Sequence, residues 1–322
     1  MLKLEGTEFD VLSLVHPSVK DAVQKCFSHP SIKDADYFRG KIPSAAVAAS
    51  GLEPVKLADA LIPIAAHFAL TPVSDFHVGV VALTSSGDLF FGSNGEIAGG
   101  PACFTLHAEE CAISNGLCSA LETCEDVSVV FKSLSLNAIP CGFCRQLLME
   151  QQQVQGSPIE IRLVKRDTLE VNARPLSFLL PSPFGPNDLN ITSFRYEGPL
   201  VPPPEAACGD IASAACEALN AVTRVSRAPY SGAYAGAAVE VGLCGGPIFA
   251  GAYVENAAYN PTTSPFFIAF MKARYAGFAL KEISKAALME VPGRFTSKQV
   301  GEISLRLVAP EAKLYVFNPV KP

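Results

Sequence analysis

Two short runs decide how this chain folds: Leu106-His107-Ala108-Glu109-Glu110 and Pro140-Cys141-Gly142-Phe143-Cys144-Arg145-Gln146. Each opens a stretch of helical composition, His107 to Leu117 and Cys141 to Gln153, with strand chemistry around them. Upstream, Leu57 to Ala69 reads as a buried helix that stops at Thr71-Pro72, because proline disfavours helix at the residue before it. Phe76 to Leu83 and Leu89 to Ser93 flank the turn residues Ser85-Ser86-Gly87-Asp88 and form a hairpin. Val127 to Phe131 and Ile159 to Val164 read as further strands. Strands alternating with helices imply an α/β fold, a sheet with helices packed on its faces.

The residue types in the two runs point to a metal. On a helix Cys141 and Cys144 are three apart, so both thiols share a face. Pro140 suits a helix start, where the positive end of the macrodipole lowers a thiol pKa. His107 and Glu109 are two apart, about 200° on a regular helix, and cannot share a face. A metal held by His107, Cys141 and Cys144 therefore lies off a helix N-terminus, with Glu109 reaching it separately. Imidazole nitrogen and thiolate sulfur suit Zn²⁺, and three protein ligands leave a fourth tetrahedral position for water. A structural zinc site would instead need a fourth protein ligand, for which Cys103, Cys111, Cys118 and Cys124 are near enough in sequence. A redox pair would need a thioredoxin-like βαβ unit, which the upstream chain does not suggest. Arg145 beside the thiolates offsets their charge or sits exposed at the helix start, and Glu110 reads as a solvated or helix-capping carboxylate. His16, His29, His67 and His77 have no spaced partners and read as structural or surface residues.

Composition sets the bounds. At 322 residues the chain exceeds what one core usually serves, so two domains are expected. Its 25 Lys and Arg against 31 Asp and Glu leave a net charge of −6, which argues against nucleic acid as a partner, since phosphate binding needs clustered cations. An apolar fraction of 49% excludes a largely disordered chain. The longest apolar stretch, Leu57 to Leu70, is broken by Asp59, Pro63 and His67 and is too short to span a membrane. Met1-Leu2-Lys3-Leu4-Glu5-Gly6 lacks a secretion-signal pattern, and ten cysteines then suggest reduced thiols or metal ligands in a cytoplasmic protein.

Residues 181–205 carry seven prolines and read as a linker, followed by a small-residue helix from Ala206 to Val225. Beyond it the chain echoes itself. Pro229-Tyr230-Ser231-Gly232-Ala233-Tyr234-Ala235-Gly236 aligns with Pro72-Val73-Ser74-Asp75-Phe76-His77-Val78-Gly79, and Ile248-Phe249-Ala250-Gly251 with Leu89-Phe90-Phe91-Gly92, which sets Glu255 opposite Glu96. The copies differ in chemistry. Where the first has His107-Ala108-Glu109, the second offers Pro265-Phe266-Phe267-Ile268, with no histidine after 107 and no cysteine after 244.

The combination His-x-Glu followed by Pro-Cys-x-x-Cys is the signature of zinc deaminases acting on nucleobases. From about Leu57 onward the chain resembles a cytidine deaminase of the dimeric, two-domain type found in enteric bacteria and plants. Besides the two runs above, the resemblance rests on Pro72-Val73-Ser74-Asp75-Phe76, Gly92-Ser93-Asn94-Gly95-Glu96, Phe184-Gly185-Pro186-Asn187-Asp188-Leu189 and Glu255-Asn256-Ala257-Ala258-Tyr259-Asn260-Pro261. It implies one Zn²⁺ per chain on His107, Cys141 and Cys144, with Glu109 as proton shuttle. It further implies that Asn94 and Glu96 bind the ribose 3′-hydroxyl, that Phe76 packs on the pyrimidine and that the Ala108 backbone reads its edge. The family's run is Asn, an apolar residue, Glu; here Gly95 stands in the middle. A homodimer is implied, in which Phe184, Ala257, Ala258 and Tyr259 of one chain help close the other chain's pocket.

The expected fold is a three-layer α/β/α sandwich duplicated in one chain. Its parts are an N-terminal helical segment (1–52), a catalytic domain (53–180), the proline-rich linker (181–205) and a degenerate, non-catalytic domain (206–322). The expected reaction is hydrolytic deamination of cytidine and 2′-deoxycytidine in pyrimidine salvage, with a free nucleoside as substrate. A carboxylate at position 96 against the sugar's 3′ oxygen repels a phosphate there. The rivals are a polynucleotide deaminase, which needs a basic channel, and a non-enzymatic zinc scaffold.

Overall fold

The structure, a computed structural model, describes residues 2–121, 129–198, 200, 209–242 and 245–319. Met1, Cys124, Val127, four of the linker prolines (199 and 202–204) and Ala206, where the small-residue helix is expected to begin, lie outside them. The chain opens with a hairpin of β1 (Leu2–Leu4) and β2 (Thr7–Phe9). Its turn places Glu5 and Gly6 in the left-handed region, at φ 49° and 79°, the geometry a two-residue hairpin requires. Four short helices follow, α1 (Val11–Leu14), α2 (Lys20–Phe27), α3 (Pro30–Lys33) and α4 (Ser44–Ala49), with β3 (Lys41–Ile42) before the last. The segment is helical as expected, but the hairpin and β3 were not foreseen.

The first half comprises α5 (Pro54–His67), β4 (Gly79–Thr84), β5 (Leu89–Ser93), β6 (Gly95–Glu96), β7 (Thr105–Leu106), α6 (Ala108–Leu117), β8 (Phe131–Leu136), α7 (Gly142–Gln155), β9 (Glu160–Val164), β10 (Val171–Pro175) and α8 (Leu176–Leu179). Its sheet runs β10-β9-β8-β4-β5-β3, antiparallel throughout except for the parallel pair β8–β9.

Two glycines show the layering. Gly79 pairs with Ser93, so both face one side of the sheet, and the next pair, Val80 with Gly92, faces the other. A Cβ on Gly79 would lie 2.4 Å from the Ile62 carbonyl of α5, and Ser93 Oγ donates to the Ala65 carbonyl of the same helix at 2.6 Å. A Cβ on Gly92 would lie 2.0 Å from the Ala108 carbonyl of α6. Helices thus cover both faces, each drawn tight against a residue without a side chain.

The second half repeats the plan with α9 (Ala212–Arg224), β11 (Ala235–Val241), β12 (Ile248–Ala252), α10 (Pro265–Tyr275), β13 (Ile283–Glu290), α11 (Lys298–Val308) and β14 (Lys313–Phe317). Its sheet order, β12-β11-β13-β14 with β13–β14 parallel, reproduces β5-β4-β8-β9. A Cβ on Gly236 would lie 2.2 Å from the Ala218 carbonyl of α9 and one on Gly251 2.3 Å from the Pro265 carbonyl of α10, in the register of Gly79 and Gly92. The duplication read from the sequence is therefore present in three dimensions.

The halves are fused rather than merely linked. One hydrophobic core contains residues of both. Tyr275 of α10 is buried and its hydroxyl lies 3.0 Å from Ser93 Oγ, while Arg274 Nε donates to the Phe68 carbonyl at 2.6 Å and Nη1 pairs with Glu5 at 2.6 Å. Among the described residues, no helix is long and apolar enough to cross a membrane.

Candidate metal centre

Both expected helices are capped by candidate metal ligands and begin one residue after them. His107 is the N-cap of α6 and Cys141 the N-cap of α7. Cys144 follows in the first turn of α7, so the site lies off two helix N-termini, where unpaired amides and the helix dipoles favour anionic ligands. Cys141 is exposed, His107 half-buried and Cys144 buried. Cys141 Sγ lies 3.6 Å from Cys144 Sγ, and His107 Nδ1 lies 3.6 and 3.3 Å from the two sulfurs. A tetrahedral zinc with Zn–S of about 2.3 Å and Zn–N of about 2.0 Å would separate sulfurs by about 3.8 Å and sulfur from nitrogen by about 3.6 Å. The triangle fits that ion. Burial, then the charge of Glu109 and of Cys141, push the Cys144 thiol far above its ordinary value. A dication at the centre reverses that balance, because the thiolate is the form that binds metal.

Glu109 is buried in the first turn of α6, near enough for its charge to raise the Cys144 thiol. It is the second residue of α6, two beyond the His107 cap. Of the cysteines offered as a fourth ligand, Cys111 is buried against the Tyr275 hydroxyl at 3.4 Å, Cys118 is buried and Cys103 is exposed. Among the described residues only His107, Cys141 and Cys144 converge, three candidate ligands.

The surrounding groups fasten these residues. The Phe143 ring stacks on His107 at 4.6 Å and 18°; it was passed over in the sequence although it sits between the two cysteines. Arg145 donates from Nε to the Pro140 carbonyl at 2.8 Å and from Nη1 to the Leu179 carbonyl at 3.2 Å. It thereby fixes the backbone entering Cys141. Glu110 is buried rather than solvated, and caps α6 by accepting the His107 amide at 3.2 Å. Its burial pushes the carboxyl up to about 8, against the hydrogen bonds from His107 and Thr263.

The residues expected to contact a nucleoside are held by local hydrogen bonds. Asn94 Oδ1 accepts the Val78 amide at 2.8 Å, and its Nδ2 donates to the Phe76 carbonyl at 2.9 Å. Glu96 Oε2 accepts the Val73 and Ser74 amides at 3.0 Å each, and Oε1 accepts the Ser74 hydroxyl at 2.5 Å. Both residues retain hydrogen-bonding capacity, one amide hydrogen on Asn94 and further lone pairs on Glu96. Asn137, also missed, ties Gly79 and His77 into the same turn. Phe76 stands 61% exposed, and the Ala108 amide belongs to the first helical turn, whose donors have no intrahelical acceptor.

Phe184 and Tyr259 are 46% and 50% exposed, whereas Ala257 is buried within its own chain. The Phe184 carbonyl accepts Gln146 Nε2 of α7 at 2.6 Å, which places that segment beside the site helix. In the second half Ser264 is the N-cap of α10, so it stands where His107 does, and Phe266 where Glu109 does, one position earlier than the sequence alignment set them. Ser297 is the N-cap of α11, in the place of Cys141.

Known proteins resemble this chain in sequence. The family model described as the cytidine and deoxycytidylate deaminase zinc-binding region matches residues 56–156, and a second model of that description matches residues 176–300. A cytidine deaminase of Vibrio cholerae is 34% identical over 84% of this chain and 82% of its own, and one of Vibrio atlanticus is 36% identical over 76% of each. A crystal structure of cytidine deaminase from Burkholderia pseudomallei aligns with 41% of this chain and all of its own length, at 26% identity and a TM-score of 0.33. With both halves matched by the zinc-binding region and a relative at 34% identity along most of its length, the chain belongs to the cytidine and deoxycytidylate deaminase family.

Proposed function

We propose that this zinc-dependent deaminase hydrolyses free cytidine and 2′-deoxycytidine to uridine and 2′-deoxyuridine, releasing ammonia, as a cytoplasmic homodimer in pyrimidine salvage. The observation that carries this is the His107–Cys141–Cys144 triangle at zinc spacing with the Glu109 carboxyl against it. Zinc held there supplies a water acidic enough to lose a proton near neutral pH. Glu109 would pass that proton to ring nitrogen N3, and would then carry the second proton of the same water, released as the C4 hydroxyl becomes a carbonyl, to the departing amino group. Geometry supports this role, since the carboxyl is buried beside the ligand set and is not itself needed to hold the metal.

Phe76 packs on the pyrimidine, the Ala108 amide reads its edge, and Asn94 with Glu96 holds the 3′-hydroxyl through their remaining hydrogen-bonding positions. The Glu96 carboxylate also disfavours a substrate whose 3′ oxygen is esterified, which sets the free nucleoside above a polynucleotide. Exposed Phe184 and Tyr259, with Ala258, face a second copy whose pocket they help to close.

The test is an ultraviolet assay of the purified protein on cytidine, 2′-deoxycytidine and single-stranded DNA or RNA, with and without a zinc chelator. Turnover of both nucleosides, abolished by chelation and exceeding that on the polymers, is expected. Preference for a polymer would overturn the substrate, and zinc-loaded protein inert on cytidine would overturn the reaction.

A further inference from the structure

One loop of the second half is tied to both zinc-bearing helices. It runs from Val254 to Thr263 and is closed at its base by reciprocal bonds, Val254 amide to Thr263 carbonyl at 3.2 Å and Thr263 amide to Val254 carbonyl at 2.8 Å. Thr262 Oγ1 accepts the Asn256 amide at 3.2 Å and stiffens it further.

At the base, fully buried Thr263 accepts from Ser114 Oγ of α6 at 3.3 Å, one turn along that helix from Glu110. Glu110 in turn accepts the amide of His107. Towards the tip, the Ala257 amide donates to Glu150 Oε2 of α7 at 2.7 Å, and the Tyr230 hydroxyl donates to Glu150 Oε1 at 2.7 Å. Beside it, Arg227 Nη1 donates to Gln151 Oε1 at 2.8 Å. Glu150 lies six residues beyond Cys144 on the same helix, a rise of about 9 Å.

We propose that the Val254–Thr263 loop braces the metal triangle, with Thr263 and Glu150 as positioning residues. Thr263 sets α6 and with it His107; Glu150 sets α7 and with it Cys141 and Cys144. The ligands come from two separate helices, so metal affinity depends on how firmly those helices are held relative to one another, and hydrogen bonds behind a ligand commonly govern that. The half that has lost its own ligands thereby retains a task at the surviving site. The proposal rests on the zinc assignment above but not on the identity of the substrate.

Zinc-loaded full-length protein tests it, with the rate of zinc transfer to a coloured chelator and the thermal midpoint measured together. Thr263→Val and Glu150→Ala should each release zinc about tenfold faster, the scale of supporting-residue effects on metal sites. Glu150→Gln keeps an acceptor for the Ala257 amide and should restore slow release. Ser304→Ala is the control: it removes a buried hydroxyl bonded only to the Val300 and Gly301 carbonyls of α11, and should lower the midpoint without changing release. Should Glu150→Ala fail to fold, Tyr230→Phe removes one of its hydrogen bonds without opening a cavity and should accelerate release in the same direction. Unchanged release in Thr263→Val and in the Glu150 or Tyr230 variant, or equal acceleration by Ser304→Ala, would overturn the brace. Wild-type protein that holds no zinc would sink the metal assignment with it; zinc-loaded protein inert on cytidine would sink the substrate alone.

Discussion

Glu96 and Glu255 hold the same two amides in their respective halves. Glu96 Oε2 accepts Val73 and Ser74, and Glu255 Oε2 accepts Tyr230 and Ser231 at 2.9 and 3.1 Å. The second half has no zinc ligands at the corresponding positions, so the clamp belongs to the fold before it belongs to any substrate. Glu255 is buried, and losing it strands a buried amide, whereas the amides under Glu96 can turn to water. Glu255→Ala should therefore cost about 1–3 kcal/mol in unfolding free energy, the usual penalty for an unsatisfied buried group, and Glu96→Ala less. Only Glu96→Ala should raise KM for cytidine. Denaturant melts with steady-state kinetics check this, and a matching KM rise in Glu255→Ala would refute the division of labour.

Much of the site could be read from the chain because its groups fall in two runs, each beginning a helix. Leu89 to Ser93 matches β5 residue for residue, and the ends of α6 and α7 fall within two positions of expectation. What local sequence did not carry was set at a distance. The strand expected from Phe76 starts at Gly79, because Asn94, Asn137 and Glu96 hold residues 73–78 in a turn. The strand expected over Val127–Phe131 begins where that stretch ends: β8 buries Ser133 and Ser135, the latter bonded to Asp59 at 2.5 Å, and such polar residues do not read as core. The Ser114 hydroxyl of α6 bonds to Thr263, 149 residues away. The three-residue strands of the N-terminal hairpin are too short to show any alternation.

Glu109→Gln should abolish turnover while zinc stays bound. The amide keeps the size of the side chain but cannot shuttle a proton, and general acid–base groups contribute about 10²–10⁴-fold. Zinc analysis of the purified variant should still give one ion per chain, since the ligand triangle does not include this residue. Retained activity would remove Glu109 from the reaction; lost zinc would make it a ligand.

Gly92 and Gly95 should respond oppositely to alanine. A Cβ at Gly92 falls 2.0 Å from the Ala108 carbonyl, backbone that cannot yield without moving the first turn of α6 and with it His107. Gly92→Ala should therefore lose both stability and zinc. A Cβ at Gly95 meets only Met271 Sδ at 3.5 Å and Leu106 Cβ at 3.8 Å, ordinary contact, and Gly95 is not left-handed. Gly95→Ala should gain about 0.4–1 kcal/mol by restricting the unfolded chain. It should also lower KM for cytidine by stiffening the run between Asn94 and Glu96. Calorimetry and kinetics on the two variants decide it.

Acid should loosen the turn that carries Phe76. Partial burial pushes the Glu96 carboxyl up, but the Ser74 hydroxyl, the Ser74 and Val73 amides and the nearby His77 outweigh it and hold the carboxyl below its ordinary value. A carboxyl depressed in the fold contributes stability that is complete above its unfolded value and is lost as pH falls through its folded one. In urea melts from neutral pH downward, the advantage of wild type over Glu96→Gln should thus hold near neutrality and shrink once pH passes below the ordinary carboxylate range. Glutamine keeps one acceptor for the two amides, so what remains at low pH measures the hydrogen bonds and what disappears measures the charge. An advantage that stays constant with pH would mean that the charge on Glu96 contributes nothing to holding the turn.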